Sequence, residues 1–202
     1  MLPLIRMLVA LEILLLPVWV GLVFGRSGWR LSSRLISAPA AVVLLSGVLL
    51  VMASLVGGPT AAGVLRAQAV AMGFVVLLGG IGTVGDRLIG PRATQMLVVL
   101  LGWIVVGSVV LVGPLVSLLD GQVQALGVRA AVYGNPLVVA EQELGLAWLR
   151  QDLTYRLSVL GESYSYLAPD IAWYKTLLGH LFVGSALVVF SVGRRAPKKP
   201  AD

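Results

Sequence analysis

Cysteine is absent, histidine occurs once and charged residues make up only 12% of the 202-residue chain. Without cysteine the chain has no disulfides, no thiolate-held metal and no iron–sulfur cluster of its own. His180 alone cannot supply the two ligands of a bis-histidine haem. The sole asparagine, Asn135, precedes Pro136, which excludes a glycosylation sequon. The shortage of charge excludes more. Soluble domains are about 25% charged and about 45–50% apolar, whereas here 58% of residues are hydrophobic and mean hydropathy is +0.98. A water-soluble globular enzyme does not fit this composition, and neither does a disordered chain, which needs low hydrophobicity. There is no Walker loop, dinucleotide fingerprint or HExxH motif, so no soluble catalytic set is readable.

What is present is a series of apolar runs. Five predict transmembrane helices, at about 7–24, 38–56, 67–84, 94–118 and 171–192, in an all-α polytopic membrane domain spanning 1–193. The first run carries Glu12 and is followed, not preceded, by Arg26, Arg30 and Arg34, so it reads as a span and not as a cleavable signal. Pro17 and Pro114 fall inside predicted spans, where proline is tolerated.

The formal charge is +6 and the isoelectric point about 10.2. In a membrane chain this excess sets topology and meets anionic lipid; nucleic acid is not an expected partner. Arg26, Arg30, Arg34, Arg87, Arg92 and the basic tail at 194–202 (Arg194, Arg195, Lys198, Lys199) share one side of a five-span layout. Arg6, Arg66 and a long loop at 119–170, where acids outnumber bases, share the other. Positive charge in short loops marks the inner side, which places the N-terminus outside and the C-terminus inside. The outer loop and its exit hold Tyr133, Tyr155, Tyr164, Tyr166, Tyr174, Trp148 and Trp173, amphipathic residues suited to a bilayer interface. From Pro136 to Leu160 its composition predicts a surface-lying or partner-contacting helix, with Asp152 and Arg156 in the favourable i,i+4 order.

Three features invite a functional reading beside a plainer one. Glu12, inside the first span, suits a proton or ion path; a site near the outer end, solvated or paired with Arg6, explains it equally. His180, opening the fifth span, suits a proton relay or a ligand role, or simply a hydrogen-bonded interface residue. In the third span Gln68, Gly73, Gly79, Gly80, Gly82 and Gly85 permit either close helix packing or a segment able to change its winding through a π-bulge.

Several stretches resemble the five-span membrane-arm subunit of respiratory complex I, called NADH dehydrogenase subunit 6 in mitochondria and the J-type subunit in bacteria. Ala38-Pro39 opens the second span where that family has Asn-Pro. Arg66-Ala67-Gln68 leads into Ala71-Met72-Gly73-Phe74, similar to the family's Tyr-x-Gly-Ala core, with Ala71 in place of the tyrosine. Leu160-Gly161, Tyr164, Tyr166 and Pro169-Asp170-Ile171-Ala172 resemble its approach to the fifth span. The resemblance implies a non-redox core subunit that helps couple quinone reduction to proton translocation. It would bind no cofactor itself, with FMN, iron–sulfur clusters and quinone held elsewhere in the complex. Other membrane-arm subunits and the bilayer would be its partners, in a mitochondrial inner membrane or a bacterial plasma membrane. It makes Gln68, Ala71, Met72, Gly73 and Phe74 coupling candidates at a π-bulge, with Glu12 and His180 as proton-path candidates from the residues themselves. Two other classes stay open: the permease half of an ATP-driven transporter, and a structural accessory subunit of a large membrane complex.

Overall fold

The computed structural model describes residues 2–26, 30–56, 60–108, 110–111, 118, 121–145 and 172–193. Among them the regular elements are all helices: α1 (Leu2–Gly25), α2 (Leu31–Val56), α3 (Thr60–Leu88), α4 (Pro91–Val106), α5 (Gly121–Tyr133), α6 (Pro136–Glu143) and α7 (Trp173–Gly193).

Each long helix forms because its residues are apolar around nearly the whole circumference, which is how a chain satisfies its backbone where water is excluded. In α1 one stripe, Ile5, Val9, Glu12, Leu16 and Val20, is buried at helical spacing. The opposite face, Leu4, Met7, Leu11, Leu15 and Leu22, is exposed and just as apolar. The outward face of α2 repeats the pattern with Val43, Leu44, Val48, Val51 and Leu55. A soluble bundle would carry charge on those faces. Four helices, α1, α2, α3 and α7, are long and apolar enough to cross a membrane, the signature of an integral membrane protein.

The fourth expected span differs. Helix α4 has 16 residues, roughly 24 Å at 1.5 Å per residue, short of the about 30 Å of a hydrocarbon core. It closes at Val106 because the Val106 carbonyl is taken by Asn135 Nδ2 at 2.6 Å and the chain turns at Gly107. Residues 112–117, which complete the expected span, lie outside the described residues. Helices α2 and α3 start before their expected N-terminal ends, α2 at Leu31 and α3 at Thr60, enclosing Arg34 and Arg66. A hydropathy reading stops at the first charge, whereas a helix continues wherever that charge finds a partner.

Helix α3 is central and packs against α1, α2, α4, α6 and α7. Its glycines are contact points. A Cβ at Gly80 would lie 2.5 Å from the Gly184 carbonyl oxygen of α7, and one at Gly184 would lie 2.5 Å from that of Val76. The two backbones therefore touch, as small residues allow between helices in lipid. Gly102 of α4 serves Pro17 of α1 in the same way, at 2.6 Å from the ring Cβ.

Two groups of described charges mark the two ends of the bundle. At one end Arg34 pairs with Asp86 at 2.8 Å and donates to the Arg26 carbonyl at 2.7 Å. At the other, Arg6 donates to the Leu144 carbonyl from Nε at 3.0 Å and from Nη2 at 2.8 Å, and Arg66 pairs with Glu143 at 3.2 Å.

Candidate functional site

The surface-lying or partner-contacting helix expected from Pro136 to Leu160 is corrected for the part described, which packs inside the chain itself. Helix α6 is interior: Pro136 through Glu141 are buried, against α3 and α1. Asn135 holds it there. Its Oδ1 accepts from the amides of Leu137 at 3.0 Å and Val138 at 3.2 Å, with Pro136 at the first helical position, a strong N-cap arrangement. Its Nδ2 meanwhile reaches Val106, so one buried side chain closes α4 and opens α6. The Asn-Pro dipeptide was the sequence signal for this joint, but its link to α4 is long-range. The remainder of the expected helix, with Asp152 and Arg156, lies outside the described residues, as do Trp148, Tyr155, Tyr164, Tyr166 and the 194–202 tail.

Glu12 is neither solvated nor paired with Arg6. It is 7% exposed, because it lies on the inward stripe of α1, one turn beyond Val9. Its Oε2 accepts from Gln68 Nε2 of α3 at 2.6 Å. The Gln68 Oε1 in turn accepts from Ser46 Oγ of α2 at 2.7 Å. Ser46 has a single proton and a second acceptor, the Val42 carbonyl at 2.6 Å, so its hydroxyl is shared between the two. Among the described residues Glu12 Oε1 has no hydrogen-bond partner. A carboxyl group, an amide and a hydroxyl thus form a polar chain across three helices whose surroundings are Val, Leu and Ile. In such surroundings each polar group costs free energy unless it is bonded.

The coupling candidates divide between two neighbourhoods. Gln68 belongs to the Glu12 chain. Ala71 and Phe74 are fully buried, and Met72 is partly buried against the core. Gly73 faces α7, where a Cβ would come within 2.9 Å of Leu177 Cδ1. Phe74 meets the His180 ring at 5.7 Å between centroids. His180 Nε2 lies 3.0 Å from the Gly134 carbonyl; a carbonyl only accepts, so Nε2 carries the proton and donates. Its Nδ1 is buried and has no partner among the described residues. Glu12 and His180 do not meet. Gln68 and Phe74 lie six residues apart on α3, roughly 9 Å along the axis. Helix α3 is α-helical along its described length, without a π turn.

A second buried acid has no signal in the sequence pattern. Glu141 of α6 is 1% exposed and its Oε1 has no partner among the described residues. Burial pushes its carboxyl up to about 7, while the Arg6 guanidinium pulls the other way. Among the described residues no group of His, Asp and Glu could hold a metal ion.

A cleft of about 420 Å³ lies beside His180, bounded by α3, α4, α5 and α7. Lys175 stands at it, with Nζ 5.9 Å from the centre of the Tyr133 ring. Comparison of the chain with protein-family models, curated proteins and solved structures gives no match.

Proposed function

We propose that the chain is a non-redox membrane subunit of a proton-translocating multi-subunit complex, of the kind represented by the five-span membrane-arm subunit of respiratory complex I. The Glu12–Gln68–Ser46 chain is the observation that carries this reading. One ionisable carboxyl, hydrogen-bonded through an amide to a hydroxyl, lies inside a membrane-type bundle, where an ionisable group is costly and points to a functional path. The central position of α3 adds support, because a change in its winding would be felt by five neighbouring helices. In this reading five spans place the N-terminus outside and the C-terminus inside. Redox cofactors belong to partner subunits, and the host is a mitochondrial inner or bacterial plasma membrane.

The test is proton uptake by membrane vesicles during NADH oxidation. Glu12→Gln keeps an acceptor for Gln68 and removes the titratable proton. Uptake should fall while quinone reduction continues; undiminished uptake sinks the proposal.

One observation favours a structural accessory subunit instead. The backbone contact between Gly80 and Gly184 ties α3 to α7 as a static joint would. In that case Glu12→Gln would leave uptake untouched, and only packing variants would impair the complex.

A further inference from the structure

We propose that the cleft bounded by α3, α4, α5 and α7 binds an anionic phospholipid, with an acyl chain in the cleft and the phosphate at Lys175. This inference is independent of the proton-translocation reading. The volume of about 420 Å³ falls within the about 300–1,000 Å³ of ligand pockets. Its walls are effectively hydrocarbon. Leu77, Val105 and Val183 line them, and apart from His180 Nδ1 the Thr, Ser and His polar groups beside these are bonded within the protein. Thr176 Oγ1 donates to the Tyr133 carbonyl at 2.7 Å, Ser108 Oγ to the Ala131 carbonyl at 3.1 Å and His180 Nε2 to the Gly134 carbonyl. A polar ligand would find few free partners there.

The opposite is true of one end. Among the described residues Lys175 is the sole cation lining the cleft, and it forms no ion pair with any of them. It lies in the first turn of α7 beside Trp173 and Tyr174, residue types that settle at headgroup level. From Lys175 to Val183 the cleft follows α7 for eight residues, roughly 12 Å, away from that end and into the apolar bundle. A cation at the interface and a hydrocarbon-lined slot leading inward match an amphiphile with a negative head and an apolar tail. Electrostatic attraction of this kind adds to apolar burial in lipid recognition.

Gly179 gives a clean test. It lines the cleft, and among the described residues a Cβ added there meets nothing within 4 Å, so Gly179→Leu fills the slot without pushing on the described backbone. The measurement is native mass spectrometry of the purified chain after exchange into equal amounts of phosphatidylglycerol and phosphatidylcholine, with melting temperature recorded alongside. The wild type should retain one phosphatidylglycerol. Gly179→Leu should lose it with its melting temperature unchanged in lipid-free detergent. Lys175→Gln should cut the preference for phosphatidylglycerol over phosphatidylcholine about fivefold, the factor expected for one basic residue at a membrane surface. Equal retention of both lipids by the wild type, or unaltered retention by Gly179→Leu, overturns the proposal. So does a wild type that retains no lipid while Gly179→Leu melts early, because the protein's own chain then fills the cleft.

Discussion

Gln68 Nε2 donates to Glu12 Oε2 across 2.6 Å, tying the central helix to the first in the apolar interior. The bond fixes the Gln68 amide, because its oxygen is left to face the Ser46 hydroxyl. It also gives the Glu12 carboxyl a neutral donor where no cation is within ion-pairing distance among the described residues.

Gln68→Leu should therefore be costly. It strips Glu12 of that donor and orphans a buried polar group, a loss of about 1–3 kcal/mol. Glu12→Gln should be nearly neutral, since a side-chain carbonyl still accepts from Gln68. Thermal unfolding in detergent should show the first variant melting several degrees below the wild type and the second close to it. The reverse order would remove the structural role assigned to Gln68.

The joint between α4 and α6 rests on Asn135. Asn135→Ala removes an N-cap worth about 0.5–2 kcal/mol and frees the buried Val106 carbonyl at once. Amide hydrogen exchange should quicken at Leu137 and Val138, the two amides that Asn135 accepts from. Unchanged protection at both would mean that packing alone holds α6.

The two kinds of glycine on the α3–α7 face should behave differently. Gly80→Ala puts a methyl 2.5 Å from the Gly184 carbonyl oxygen, a backbone atom with no rotamer to escape into, so the helices must separate. Gly179→Ala meets open space and gains helix propensity of up to about 1 kcal/mol. Melting temperature should drop for the first and hold or rise for the second.

Glu141 predicts a pH dependence. Its carboxyl titrates near 7 in the folded protein against an ordinary value of 4.5, so between those values the folded state holds more protons than the unfolded one. Its contribution to stability is then complete below about 4.5 and is lost as pH rises through about 7. Denaturation at a series of pH values should show this fall, and Glu141→Gln should flatten it. A slope unaltered by the substitution would place the dependence on another group.

The bundle was largely legible in the sequence, and the reasons differ by element. Helices α1, α2, α3 and α7 announce themselves because an apolar stretch long enough to span lipid has few other folds open to it. Their ends were misplaced because Arg34 and Arg66 read as loop charges, although each is helical and paired with a carboxylate distant in sequence, Asp86 and Glu143. The composition of 136–160 predicts a surface-lying or partner-contacting helix, yet in α6 Glu141 is buried and Asn135 anchors the segment to α4. Glu12 stood out as a charge in a span, but its partner was invisible: 56 positions separate it from Gln68, and no helical periodicity links residues on different helices. The cleft left no local signal, since its walls come from four elements.

The most direct test of the membrane-subunit account is extraction in mild detergent, native separation, and mass identification of everything that migrates with this chain. The account predicts companions that include the flavin- and iron–sulfur-bearing arm of an NADH dehydrogenase together with further membrane-arm subunits. Migration with an ATP-binding cassette protein, or as a lone chain, would contradict it.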